Sequence, residues 1–146
     1  MIFLSLGTNM GDREANLAVA RAKLSRKFGV VLSVSQVLET KAMGFDGADF
    51  LNQVVAFQSD LSPKAILYAC QQIEVEMGRK LHTPRYDGAG NRIYQNRIID
   101  IDILTCGNVH IHTAELTIPH TQCYTRRFIK DLLETMDEKI QKEFII

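Results

Sequence analysis

An α+β sandwich of order β-α-β-β-α-β, with helices packed on a mainly antiparallel sheet and a C-terminal helical tail, is the fold class the sequence predicts. Three observations predict it. Two stretches, near residues 13–28 and 63–77, repeat apolar residues at helical spacing. Four others run or alternate as strands, and they bracket the helices in that order. No repeat, linker or low-complexity stretch divides the 146 residues, so a single domain, 1–146, with one core of ordinary size is expected.

The first strand is the apolar run from Ile2 to Leu6, ended by Gly7. A tight loop, Gly7 to Asp12, follows, with Asp12 placed as an N-cap. Leu17, Ala20, Leu24 and Phe28 then share one helical face up to Gly29. Residues 30–39 interleave Val and Leu with Ser and Gln, which predicts the second strand. After a polar loop from Thr40 to Asp49, residues 50–58 form the third. Ser62-Pro63 opens the second helix, N-cap and proline at the first helical position, with Ile66, Cys70, Ile73 and Met77 on its buried stripe and Gly78 at its end. Residues 79–97 have no period and hold five Lys or Arg against one acid, Asp87. A structureless stretch of that length is typical of a lid or binding loop. The fourth strand follows, N-R-I-I-D-I-D-I-L at residues 96–104, then a Gly107-Asn108 turn and a helix over Arg127 to Met136.

Composition excludes several function classes. Apolar residues make up 46% and charged residues 23%, and the 17 basic side chains balance 17 acidic ones. That balance argues against a broad electrostatic footprint for nucleic acid. Cys70, Cys106 and Cys123 are odd in number and lack Cys-x-x-Cys spacing, which argues against a disulfide framework and for a reducing cytoplasm. No run is long enough to span a membrane, and the N-terminus has no basic region ahead of its apolar run, so it reads as a strand and not a signal peptide.

Asp100 and Asp102 carry the strongest chemical signal. Residues two apart in a strand share a face, so the carboxylates project together, roughly 6–7 Å apart. Like charges that close raise one another's pKa unless a cation lies between them. One explanation is an edge strand whose polar face meets solvent. The other is a pair of hard oxygen ligands for magnesium, which takes one or two carboxylates and completes its shell with water and phosphates. Ile99, Ile101 and Ile103 would anchor the opposite face. Arg79 and Arg97, at the ends of the basic loop, could pair bidentately with phosphate oxygens. Phe50 and Asn52 share a face, where a ring and an amide can stack on and read a flat heterocycle. The P-loop pattern is absent, and His82, His110, His112 and His120 do not space like a zinc site.

Together these residues resemble the 6-hydroxymethyl-7,8-dihydropterin pyrophosphokinases over nearly the whole chain. The landmarks are Leu6 to Asp12, Asp49-Phe50-Leu51-Asn52, Glu74 to Arg79, Arg97 to Leu104, Ile118-Pro119-His120 and Arg126-Arg127-Phe128. The resemblance implies a ferredoxin-like fold and transfer of a pyrophosphoryl group from ATP to the pterin's hydroxymethyl oxygen, releasing AMP, in folate biosynthesis. It also implies two Mg²⁺ ions on Asp100 and Asp102. Thr40, Met43, Phe50, Asn52 and Phe128 then bind the pterin. Gln71, Glu74, His120 and Arg126 line the ATP site, while Arg79 and Arg97 are catalytic. A cytoplasmic monomer acting on small molecules, with neither nucleic acid nor membrane as partner, is expected. Tyr94-Gln95-Asn96-Arg97 departs from the family's common Trp-Gly-Pro-Arg, Lys41 from a proline and Thr121 from an aromatic. The competing expectations are a Mg-dependent small-molecule kinase, told apart by ADP as product, and a non-catalytic ferredoxin-like binding module. The nucleic-acid modules of that scaffold carry an aromatic sheet signature that is missing here.

Overall fold

A computed structural model describes residues 1–41, 48–78 and 97–146. β1 (Ile2–Thr8) lies at the centre of the main sheet, paired antiparallel with β4 (Phe50–Phe57) on one side and β5 (Asp100–Cys106) on the other. β2 (Ser33–Val34) and β3 (Leu38–Thr40) both pair antiparallel with β4, which gives the order β2-β4-β1-β5. With β2 and β3 taken as one broken strand, this is the β-α-β-β-α-β arrangement expected.

The helices begin where the side chains allow. Asp12 accepts a hydrogen bond from the Ala15 amide and opens α1 (Arg13–Phe28), and Ser62 does the same for the Ala65 amide at the start of α2 (Pro63–Glu76). Gly78 ends the second helix region at φ 105°, where a Cβ would also come within 3.1 Å of Ile98 Cδ1.

Two strands differ from expectation. β1 runs on through Gly7 to Thr8, because Gly7 pairs with both Asn52 and Asp100 and is a rung of the ladder and not the start of a turn. The second strand is broken over residues 35–37. There the Ser35 hydroxyl takes the Val54 amide at 2.8 Å, and Gln36 N turns away to donate to Thr135 Oγ1 at 2.9 Å. A serine side chain has replaced a backbone partner in the ladder. A short hairpin, β6 (Ile111–His112) with β7 (Thr117–Ile118), lies beyond the Gly107-Asn108 turn, where the sequence pattern predicts no strand.

Both faces of the sheet are covered, where the pattern of two helices suggested one. α1 and α2 pack on the face built from Ile2, Leu4, Leu6, Val55, Phe57, Ile99, Ile101 and Ile103. The opposite face presents Phe3, Val54, Ala56 and Leu104 to Ile129, Leu132 and Leu133 of α4 (Arg127–Leu133) and to Met136. Phe144, after α5 (Glu138–Gln141), closes edge-on against Phe3 with ring centroids 5.1 Å apart. The expected helix to Met136 is therefore shorter, but its apolar stripe is buried as a helix of that register requires.

α4 covers only half of its face. Along β1 the side chains on this face run Phe3, Ser5, Gly7. Read in the antiparallel sense, β4 runs Ala56, Val54, Asn52, Phe50, and β5 runs Leu104, Asp102, Asp100. The face turns from apolar to polar at Ser5, which pairs with Asp102, and the polar half holds four of the predicted site residues, Phe50, Asn52, Asp100 and Asp102.

Candidate active site

Gly7 sits between Asn52 and Asp100 in one row across the sheet. Directly paired residues share a face, so the Asn52 and Asp100 positions stand two strand spacings apart, about 10 Å, and the residue paired between them has no side chain of its own. A Cβ on Gly7 would lie 3.6 Å from Phe50 Cδ1 and 3.7 Å from Asn52 Oδ1. Phe50 is half-buried beside it, as period 2 requires.

Asn52 is held from β3. Its Nδ2 donates to Leu38 O at 3.1 Å and to Thr40 Oγ1 at 2.8 Å. Both amide protons are thereby used, and Oδ1 is turned over Gly7 as an acceptor. Thr40 is thus joined to the site through Asn52. Met43 and Arg79 lie outside the described residues, as does all of the expected 79–97 lid except Arg97.

Ile99, just before β5, and Ile101 and Ile103 within it are 0%, 5% and 3% exposed, so the strand is anchored from behind as expected while Asp100 and Asp102 face the opposite side. Among the described residues β5 is also the edge of the sheet, the arrangement the solvated-strand explanation required. Its polar face is nonetheless partnered. Gln122 Nε2 donates to Asp102 Oδ2 at 3.0 Å. From the outer edge, the buried Glu74 of α2 accepts the Ile101 amide at 3.0 Å, fixing the peptide between the two aspartates.

His120 Nε2 lies 3.9 Å from Asp102 Oδ1, too far for a hydrogen bond. Its Nδ1 accepts the Gln122 amide at 3.1 Å, which places the proton of the neutral ring on Nε2. Burial lowers the pKa of His120, with the Asp100 charge opposing, so the ring at neutral pH is a donor and not half of an ion pair.

Arg126 and Phe128 meet each other, the guanidinium carbon 4.5 Å from the ring centroid, at the entry to α4. Gln71 stands exposed on α2, one turn before Glu74. Arg97 is tied through its backbone to Asn9, with Arg97 N donating to Asn9 Oδ1 at 2.7 Å and Asn9 N donating to Arg97 O at 3.0 Å.

Asn9 and Gln122 were not singled out by sequence reasoning. Asn9 lies in a Gly-flanked loop that read as a structural turn. Gln122 belongs to the four-residue helix α3 (Gln122–Thr125), too short to leave a periodic trace.

Among the described residues no three of His, Cys, Asp and Glu stand together as a metal-binding group. Two carboxylates alone suit a hard cation that draws its other ligands from phosphates and water, and do not suit a closed structural site.

Known proteins carry the same arrangement of sequence. A family model described as 7,8-dihydro-6-hydroxymethylpterin-pyrophosphokinase matches residues 3–138. A 2-amino-4-hydroxy-6-hydroxymethyldihydropteridine pyrophosphokinase of Porphyromonas gingivalis is 40% identical over 133 residues, 89% of this chain and 86% of its own. One of that name from Bacillus subtilis is 35% identical over 143 residues, 97% of this chain and 80% of its own. The folic acid synthesis protein fol1 of Schizosaccharomyces pombe is 35% identical over 129 residues, 87% of this chain but only 16% of that longer protein. The chain belongs to the 7,8-dihydro-6-hydroxymethylpterin-pyrophosphokinase family.

Proposed function

We propose that the polar half of the α4 face is where the chain performs its family's reaction, ATP-dependent pyrophosphoryl transfer to the hydroxymethyl group of 6-hydroxymethyl-7,8-dihydropterin. The carrying observation is the Asn52–Gly7–Asp100 row, an amide and a carboxylate on one face of the sheet with only a glycine paired between them; it supports a heterocycle at the amide and phosphates at the carboxylate. The pterin stacks on Phe50 and donates to Asn52 Oδ1, which Thr40 and Leu38 hold in place. Phe128 and Met43 complete that half.

The triphosphate lies over Asp100 and Asp102, which would hold two Mg²⁺ ions. Held by these two carboxylates, magnesium would neutralise the phosphates and fix their conformation. Arg97, with Arg79 as its companion, offsets charge at the transferred group. His120, Arg126, Gln71 and Glu74 serve the nucleotide side, His120 through its Nε2 proton and Glu74 by holding the Ile101 peptide. The hydroxymethyl oxygen bonds to the β-phosphorus as the bond from that phosphorus to the α–β bridging oxygen breaks. AMP leaves with the electron pair, and the hydroxyl proton is lost to solvent. Positioning and charge neutralisation supply most of the rate in such chemistry.

Residues 1–146 act as one domain and as a monomer on this reading. The free thiols of Cys70, Cys106 and Cys123 favour a reducing cytoplasm. No described helix is long and apolar enough to cross a membrane, and the zero net charge speaks against nucleic acid as partner.

Nucleotide products decide the assignment. Mixing the protein with Mg·ATP and 6-hydroxymethyl-7,8-dihydropterin should yield AMP in step with pterin consumption. ADP would make it an ordinary kinase using the same site, and a folded protein without turnover would overturn the substrate.

A further inference from the structure

We propose that Asn9 is a positioning residue that couples the pterin half of the site to the phosphate half; the inference rests on the functional reading above. Asn9 is 3% exposed and sits just beyond the end of β1. Its Oδ1 and its backbone N–H together grip one residue, Arg97, accepting from Arg97 N at 2.7 Å and donating to Arg97 O at 3.0 Å. The pair imitates a rung between strands, so the backbone that carries the Arg97 side chain cannot slide without leaving buried polar groups unpaired. Three residues later the same chain becomes Asp100.

The remaining arm points the other way. Asn9 Nδ2 donates to Ala48 O at 3.1 Å. Ala48 leads through Asp49 into Phe50 and the start of β4. The next carbonyl, Asp49 O, is held by Arg13 Nη1 at 2.8 Å, and Arg13 Nη2 reaches Glu39 of β3 at 3.1 Å. The entry to the pterin-binding strand therefore hangs from the start of α1 and from Asn9. A single planar amide spans from this entry to Arg97. A rigid amide cannot tilt toward one partner without shifting its bond to the other, so displacement in one half is felt in the other. The residues joined are far apart in the chain, by 39 positions to Ala48 and 88 to Arg97.

The test reads the Arg97 amide directly. In the unaltered protein, saturating 6-hydroxymethyl-7,8-dihydropterin without nucleotide should slow hydrogen exchange of Arg97 N–H by about threefold or more. Bound pterin with unchanged Arg97 exchange overturns the coupling, whereas failure of the pterin to bind at all overturns the functional reading instead. Two variants separate the arms. Asn9→Asp retains an acceptor for Arg97 but has no donor for Ala48. It should keep Arg97 protected, lose the response to pterin, and raise the pterin KM about fivefold or more. Asn9→Ala should raise that KM and lower kcat about tenfold together. A merely structural role would reduce the folded fraction, lowering kcat alone and leaving KM and the exchange response of the folded molecules unchanged. That result would sink the proposal.

Discussion

The side-chain amide of Gln122 donates to Asp102 Oδ2 at 3.0 Å, while the Gln122 backbone amide donates to His120 Nδ1 at 3.1 Å. One residue of α3 thus orients a carboxylate on β5 and sets the tautomer of the histidine beside it. Outer partners of metal-binding carboxylates are commonly worth 10- to 100-fold, on the order of the loss expected here. Gln122→Ala should lower turnover at limiting Mg²⁺ by about tenfold and shift the Mg²⁺ dependence to higher concentration. A magnesium titration identical to that of the unaltered protein would show that the contact is incidental.

Asp100→Asn and Asp102→Asn should each reduce kcat by about 100-fold or more, because neutral amides bind Mg²⁺ weakly and leave the triphosphate charge unbalanced. The same changes relieve repulsion between two carboxylates on one face. In the metal-free protein they should therefore leave the Tm equal or slightly higher. Product assays beside thermal melts in EDTA check both halves, and a variant with near-full turnover would remove the metal assignment.

Gly7→Ala separates stability from binding. The added methyl would meet Phe50 and Asn52 at ordinary contact distances, 3.6 and 3.7 Å. Replacing a strand glycine in a compatible conformation stabilises by roughly 0.4–1 kcal/mol. The methyl would stand against Asn52 Oδ1 and the Phe50 ring, the two groups proposed to meet the heterocycle. Melting temperature should rise or hold while pterin affinity, measured by equilibrium titration, falls. Undiminished affinity would move the heterocycle away from this row.

Burial, and then the negative charges of Glu74 and Asp102, push the Cys70 thiol up to about 12. Its folded pKa lies above the ordinary value, so its contribution to stability is full below about pH 9 and is lost as pH rises toward 12. The difference in Tm between the parent and Cys70→Ala should narrow from about pH 8 to about pH 10.5. At neutral pH Cys70 should resist thiol reagents until the protein unfolds, since the thiolate is the reactive form.

Much of the fold was legible because periodicity is a local record of burial. The helix starts at Asp12 and Ser62 and the shared face of Asp100 and Asp102 all follow from one segment read by itself. The break at Ser35 was not legible. Val54, whose amide the hydroxyl captures, is 19 positions away, and a Val-Ser alternation is equally good for an unbroken strand. Gly7 misled for a related reason: glycine after an apolar run commonly ends a strand, but here two neighbouring strands hold it in the ladder.

By itself the sequence determined the candidates for chemistry: two carboxylates on one strand face, a ring and an amide on another, and arginines in the neighbouring loop. Tertiary structure alone decided that these faces are the same face. It also decided that α4 stops covering the sheet at Ser5, and that Asn9 and Gln122 hold Arg97 and Asp102. The physical reason is range. Side-chain alternation within a strand is set by backbone geometry a few residues long. The register between strands, and the half of a face that a distant helix leaves open, depend on the packing of apolar residues contributed by the whole chain.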